Sequence, residues 1–446
     1  MKLKARLAAR LARLPHQILR KSVPEQYLED ASCRNQLWRW FLLGLLIRLL
    51  FMPFMTHSDL IVYNWMAHFI LSDRAYDIVG FLQTAAPSML VNTPLVLYFQ
   101  AFFLLIFTPV MPGVFAAMGT TFSMGVFLSD PQVQRALFLL KAPYLLLDLG
   151  VALLLLRLFQ SKDHGTYAWK FWMVNPVVIF AVYIFSSYDV MVAFLIALSL
   201  YYMKTHWRKS SMVALGMGAA AKLFPLLLAP FFVLCGSRSR WKQLGYAVLF
   251  CVPLILVFMP NIIGGTVSAI PGLFKGNPQG YLFGMQFNLG SFDRIFVVVA
   301  AYAVVGLSFY FRKEKDWESL WRYSFVVVML YYATSLFHPQ YFLWAMPLTT
   351  LAVVTDRRLL ALHIMQIVCF VVYTFNWGRP LAFAVLGPLS PAFSSLPSPS
   401  EVIARFAPPG EIMTVFRSLF TGISLYMMYL VLRQLRQPRH LRDQAR

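Results

Sequence analysis

An acidic residue follows closely on the first long apolar run of this chain: Met55 leads into Thr56, His57, Ser58 and Asp59, and these into the helical run LIVYNWMAHFIL. A carboxylate placed there can take the proton of an attacking hydroxyl, which is general-base chemistry. Asp59 or Ser58 equally suits the N-cap of a helix beginning at Leu60. Asp73 and Asp77, which flank Arg74, fit solvated caps or turns better than a base. Lys222, in AAKLFPLLLAP, is ionisable inside an apolar segment, which marks a site by default. It can hold a phosphate whose negative charge grows as it leaves, or snorkel to a lipid headgroup. A bend at this point would add free helix-end amides to an anion site. His338 and Gln340 stand in LFHPQYFLWAMPL, where Pro339 interrupts two apolar helices. Tyr341 and Trp344 of the same word suit an aromatic belt at a membrane interface.

Three more charges fall within apolar runs. Lys141 and Asp148 share nearly one helix face and can neutralise each other or a neighbouring helix. Arg48 either snorkels or meets phosphate. No Walker motif, nucleotide-binding glycine loop, convincing Ser-His-Asp set or zinc-like Cys/His spacing occurs, which argues against a nucleotide-fuelled pump and a zinc site.

The elements that must position these residues are solvated by lipid. Of the 446 residues, 59% are hydrophobic and only 13% charged, more apolar surface than one or two soluble cores could bury. The apolar runs are continuous rather than alternating, which excludes a β-barrel. The expected fold is an all-α integral membrane protein of about 12–14 transmembrane helices. Spans fall near 37–55, 91–109, 113–128, 134–158, 170–185, 188–203, 243–260, 293–311, 322–336, 341–355, 359–376 and 413–432. The stretch 211–235 is too short for two crossings, yet a single one would put Arg238, Arg240 and Lys242 on the wrong side. A broken or re-entrant pair bent near Lys222 and Pro225 resolves this. The net charge of +21 has its source in the loops near 157–170, 204–209, 238–242, 312–322 and 357–358 and in the two termini, the cytoplasmic sides by the positive-inside bias. That pattern leaves no need for nucleic acid. The chain divides into a basic cytoplasmic arm (1–36), a transmembrane domain (37–432) and a basic tail (433–446). The first 22 residues are amphipathic and fit docking on an anionic leaflet, or a solvated arm that fixes orientation. Three long outer loops, 56–90, 261–292 and 377–412, lie on one side, the first of them helical. None of the four cysteines falls in a segment placed outside, so disulfides are not expected.

The words SDLIVY, NTPLVLYF, KAPYLLLDL, VNPVVIF with SSYD, AKLFPLLLAP and HPQYFLWAMP, in that order over residues 37–355, resemble the GT-C superfamily of polytopic glycosyltransferases. The likeness is greatest to the polyprenyl-phosphate-mannose-dependent mannosyltransferases and the catalytic subunit of GPI mannosyltransferase I. The resemblance implies an acid in the first outer loop acting as base or metal ligand, and Asp59 stands there. His57 occupies the place of a second acid, which favours a metal-independent reaction with no cofactor. It also implies that Lys222 and the segment of His338, Gln340 and Tyr341 face the donor, and in the expected mechanism Lys222, with His338 or Arg48, holds the donor phosphate. His57, Tyr63, Asn92, Asp189, Gln340 and Tyr341 would then line the substrate pocket.

The expected activity is inverting transfer of a hexose, mannose by resemblance, from a polyprenyl-phosphate sugar to a lipid- or glycan-linked acceptor. The site would face the non-cytoplasmic side of a bacterial inner membrane or an ER membrane, with membrane lipids around it and room for an accessory subunit. Two rivals remain: a lipid-linked sugar flippase or small-solute transporter, against which the lack of a convincing internal repeat argues, and a scaffold subunit for partner enzymes.

Overall fold

The computed structural model describes residues 23–85, 93–111, 113–119, 121–268, 282–290 and 293–436. Most of the amphipathic arm, Asn92 and the end of the basic tail therefore lie outside the described residues. Among the described residues the secondary structure is all-α apart from one antiparallel hairpin, Gln286–Asn288 with Arg294–Phe296, whose second strand takes the start of the span expected from residue 293 and delays its helix to Val297. In chain order the principal helices are α1 (Ala31–Phe51), α2 (Ser58–Ser72), α3 (Ile78–Ala85), α4 (Pro94–Phe107), α5 (Val133–Arg157), α6 (Lys162–Met173), α7 (Asp189–Lys204) and α8 (Arg208–Ala221). They continue as α9 (Ala229–Gly236), α10 (Arg240–Val257), α11 (Val297–Tyr310), α12 (Trp317–Thr334), α13 (Met346–Thr355), α14 (Arg358–Thr374) and α15 (Pro409–Arg433).

The centre of the bundle is α7 and α12, apolar on nearly all sides and buried on nearly all sides. α7 packs on α5 and α8, α8 on α10, and α12 with α14 on α15. α10 keeps only 11% of its apolar span inside the protein, and Leu244, Val248, Ile255 and Leu256 point outward. Such a helix is stable only against another apolar medium. Among the described residues, four helices are long and apolar enough to cross a membrane, α5, α10, α14 with its following turn, and α15. Together α6 and Pro176–Ile184, bent by 41° at the break between them, have the length and apolarity of a fifth, as a broken span or a re-entrant loop. This architecture is compatible with a multi-pass membrane protein.

Several expected spans are broken into shorter pieces, each for a local reason. Residues 170–185 do not form one helix: α6 stops at Met173, and the Asn175 side chain accepts from the amides of Val177 and Val178 to start a new helix at Pro176. Residues 113–128 form two five-residue helices, Val114–Met118 and Met124–Leu128, because Gly119 adopts φ +55° and Ser123 caps the second. Residues 341–355 begin as a 3-10 turn, Pro339–Ala345, before α13. The helix expected from residue 37 starts at Ala31, capped by Asp30, and Val23, Tyr27 and Cys33 ahead of residue 37 are buried. The stretch 211–235 is broken near Lys222 and Pro225: α8 ends at Ala221 with Lys222 as its extended C-cap, and a 3-10 turn from Phe224 to Leu227 precedes α9.

Two ends of the bundle are distinct. At one, the basic loops meet: Lys162 pairs with Asp30 at 3.7 Å, Lys204 donates to the Leu158 carbonyl, and Gln434 donates to Asp356. At the other, the three long loops meet. The Thr56 amide donates to the Val385 carbonyl, and Asp77 accepts from Asn261 and Thr266.

Candidate active site

The helix that carries Asp59 is started by its neighbour. His57 is the N-cap of α2 (φ −99°, ψ 157°), its Nδ1 lying 3.3 Å from the Asp59 amide. The expectation that Asp59 or Ser58 would cap a helix at Leu60 is corrected, and the Asp59 carboxylate is left uncommitted to the backbone. His57 is fixed from two sides, by stacking on Phe185 at 4.2 Å and by its amide donating to the Phe185 carbonyl at 3.3 Å. That carbonyl is presented by an uncommon turn: a π-helix at Phe180–Ile184 runs into Ser186 at φ +69°. Both features concentrate at functional sites.

His57 Nδ1 is also 3.2 Å from Asp59 Oδ1, and the carboxylate keeps about a third of its surface open (32%). One nitrogen cannot serve both partners at once. When protonated it donates to the carboxylate; when not, it accepts from the amide. Burial alone would raise the Asp59 pKa, but the hydrogen bond and charge of His57, followed by Lys222 and His338, outweigh it and hold the carboxyl below its ordinary range. It is therefore an anion at neutral pH, the state a proton acceptor needs.

Lys222 stands at the break after α8. Its ammonium donates to the Tyr188 hydroxyl at 3.2 Å, faces Asp189 Oδ1 at 3.7 Å and lies 4.1 Å from the Tyr341 ring centre. Tyr341 is stacked on Trp344 at 4.4 Å, and Trp344 donates to Asp189 at 2.8 Å. Trp344 is thus part of the interior, a correction to its reading as a belt residue. Asp189, fully buried and also bonded by Ser187, is the counter-ion of Lys222 rather than a residue open to substrate. Tyr63 of α2 packs edge-on against Tyr188 at 4.9 Å.

His338 stacks on Trp377 at 4.0 Å, next to Tyr341. Two buried polar atoms of this wall, Gln340 Oε1 and Trp377 Nε1, have no hydrogen-bond partner among the described residues. Buried groups of this kind ordinarily are paired. Burial lowers the His338 imidazole to about 4, Asp59 pulling it up and Lys222 and His57 pushing it down. It is accordingly neutral at pH 7 and would offer a phosphate a hydrogen bond, not a charge. The unfolded chain, with His near 6.5, binds more protons than the fold between pH 6.5 and 4. Stability therefore declines as pH falls through that window. We expect His338→Gln to flatten this decline when unfolding in SDS is followed against pH; an unchanged slope would place the titration elsewhere.

Arg48 is not part of this constellation. It is fully buried in α1, where Nε meets Asp148 at 2.5 Å and Nη1 donates to the Met173 carbonyl at 2.7 Å. Lys141 does not pair with Asp148 either. Its ammonium is held by the carbonyls of Phe51, Met55 and Tyr183, which ties the end of α1 to the π-turn beneath His57. Asp73 ends α2 as its C-cap, and Asp77 bonds the Gly80 amide together with Asn261 and Thr266. Three cavities of the molecule are bounded by the basic end and the α1–α6 seam, and none of these three is lined by Asp59 or Lys222. Among the described residues no three His, Cys, Asp or Glu side chains are grouped to hold a metal ion.

Tyr188, Trp344, Trp377 and Lys141 are the site's supporting residues that sequence reasoning did not assign to it. Tyr188 lies in the SSYD word beside Asp189, so proximity was its only signal. No protein-family model, curated protein or solved structure matches this chain.

Proposed function

We propose that the chain is a GT-C-like inverting glycosyltransferase that uses a polyprenyl-phosphate sugar, mannose being favoured by the resemblance of its ordered sequence words. The observation that carries this reading is the convergence of a part-exposed, ionised Asp59 with Lys222 and the Tyr341–Trp344 stack at the end of the bundle where the long loops meet. An acceptor hydroxyl attacks the anomeric carbon, the carbon–oxygen bond to phosphate breaks, and polyprenyl phosphate leaves with the bonding pair. The hydroxyl proton passes to Asp59, while Lys222 balances the departing charge. Tyr341, backed by the buried Trp344, offers an apolar wall to the sugar or the first isoprene unit, and a side-chain shift on binding would let Gln340 and Trp377 bring their unpaired polar atoms to sugar hydroxyls. The basic loops gather at the opposite end, which by the positive-inside bias supports a site on the non-cytoplasmic face.

The test is transfer of labelled sugar from polyprenyl-phosphate mannose by the purified protein in lipid nanodiscs, with glucose- and arabinose-loaded donors alongside. Formation of a new glycosidic product is expected; movement of label across sealed vesicles with no product would support the flippase instead. Lys222→Met should raise the apparent donor KM about tenfold or more, as loss of a charge-assisted phosphate contact does, with a smaller change in kcat. An unchanged KM would remove Lys222 from the donor site.

A further inference from the structure

At the basic end, a hollow of about 560 Å³ opens between α1, α6 and the turn before α14. Arg39, Lys170 and Arg357 contribute its cations. Each rests on an aromatic ring: Lys170 at 4.5 Å and Arg39 at 5.6 Å from the Trp40 centre, and Arg357 at 3.2 Å from that of Tyr167. Among the described residues none of the three has a carboxylate partner. The hollow's two acids do not supply one. Asp30 is engaged in capping α1 and pairing with Lys162, and Asp163 lies in the exposed first turn of α6. Three like charges gathered around one hollow repel one another until an anion enters.

Arg39 also shares a helix stripe with Leu43, Leu46 and Leu50, spaced i, i+4, i+7 and i+11. These leucines are 42%, 66% and 57% exposed, so the stripe below the cation is an apolar surface turned outward. Charge above and exposed leucines below match a phospholipid, whose phosphate sits at the interface and whose chains run along the helix. A soluble phosphate would use only the upper half.

We propose that the hollow bounded by Arg39, Lys170 and Arg357 is a binding site for the headgroup of an anionic phospholipid of the cytoplasmic leaflet, with its acyl chains on the Leu43–Leu46–Leu50 stripe. Basic hollows between helices on the cytoplasmic side hold anionic headgroups by this logic. The site lies at the opposite end of the bundle from Asp59 and does not depend on the transfer reaction.

The experiment is native mass spectrometry of the full chain, delipidated in detergent and titrated with phosphatidylglycerol or cardiolipin against phosphatidylcholine. The wild type should retain anionic lipid in preference to neutral lipid. Arg39→Gln/Lys170→Gln/Arg357→Gln should weaken that binding about a hundredfold, and Arg357→Gln alone, at an exposed position, about fivefold. Removing the same charge from another basic loop, with Arg238→Gln/Arg240→Gln/Lys242→Gln, should leave it intact. Equal retention of both lipids by the wild type, or undiminished anionic binding by Arg357→Gln, would overturn the proposal. Displacement of the lipid by millimolar inorganic phosphate would overturn the lipid assignment in favour of a soluble phosphate site.

Discussion

Asp59→Asn is expected to lower sugar transfer about 10²–10⁴-fold, the range typical of losing a positioned general base, while donor KM stays within about twofold. The substitution keeps the side chain's shape and can still meet His57 Nδ1, but the amide cannot accept the acceptor's proton. His57→Ala should be milder in kcat, since His57 acts on the Asp59 carboxylate and is not itself the proton acceptor, and it should also loosen the start of α2. The two variants differ in a second readout. Because His57, Lys222 and His338 together hold the Asp59 carboxyl low, the acid limb of the kcat profile lies below the ordinary carboxylate range in the wild type. In His57→Ala, where burial is less opposed, that limb should move upward. Full activity of Asp59→Asn in a preparation that makes product would remove Asp59 from the reaction.

The residues that gather at this site were legible in the sequence because each is chemically out of place there. Lys222 interrupts an apolar run, Asp59 follows the first such run, and His338 sits where Pro339 must break a helix. Their partners were less legible, since partner choice is set by packing between distant helices. Spacing on one helix suggests Lys141 for Asp148, yet Arg48 takes Asp148 and Lys141 turns to backbone carbonyls. The decisive feature is the close approach of α1 to α6 at Gly44, where an added Cβ would come within 2.9 Å of the Met173 carbonyl oxygen. Helix-cap propensity likewise favours Ser58 and Asp59, but the stack on Phe185 and the bond to its carbonyl fix His57 as the cap. Hydropathy reports how apolar 113–128 and 170–185 are, but the breaks in them come from backbone geometry at Gly119 and from the cap at Asn175.

The Arg48–Asp148 pair carries the largest expected effect on stability. Both side chains are fully buried, and Asp148 is surrounded by donors: Arg48 Nε at 2.5 Å, Trp172 Nε1 at 2.6 Å and the Tyr183 hydroxyl at 2.7 Å. Removing one member leaves the other as an uncompensated charge in an apolar interior, so Arg48→Met and Asp148→Leu should each cost about 3–5 kcal/mol. The joint variant should cost less than the sum, with a coupling of about 1–3 kcal/mol in a double-mutant cycle measured by SDS unfolding in bicelles. The pair is not saturated, because Arg48 Nη2 has no partner among the described residues, which limits what the double variant forfeits. Trp172 and Tyr183 would still lose an acceptor, so full recovery is not expected. Strict additivity would mean that the two charges do not compensate each other in the folded protein. Such additivity would leave the Asp59 site untouched, since this pair joins α1, α5 and α6 and touches the site indirectly, through Tyr183 and the π-turn that presents Phe185 to His57.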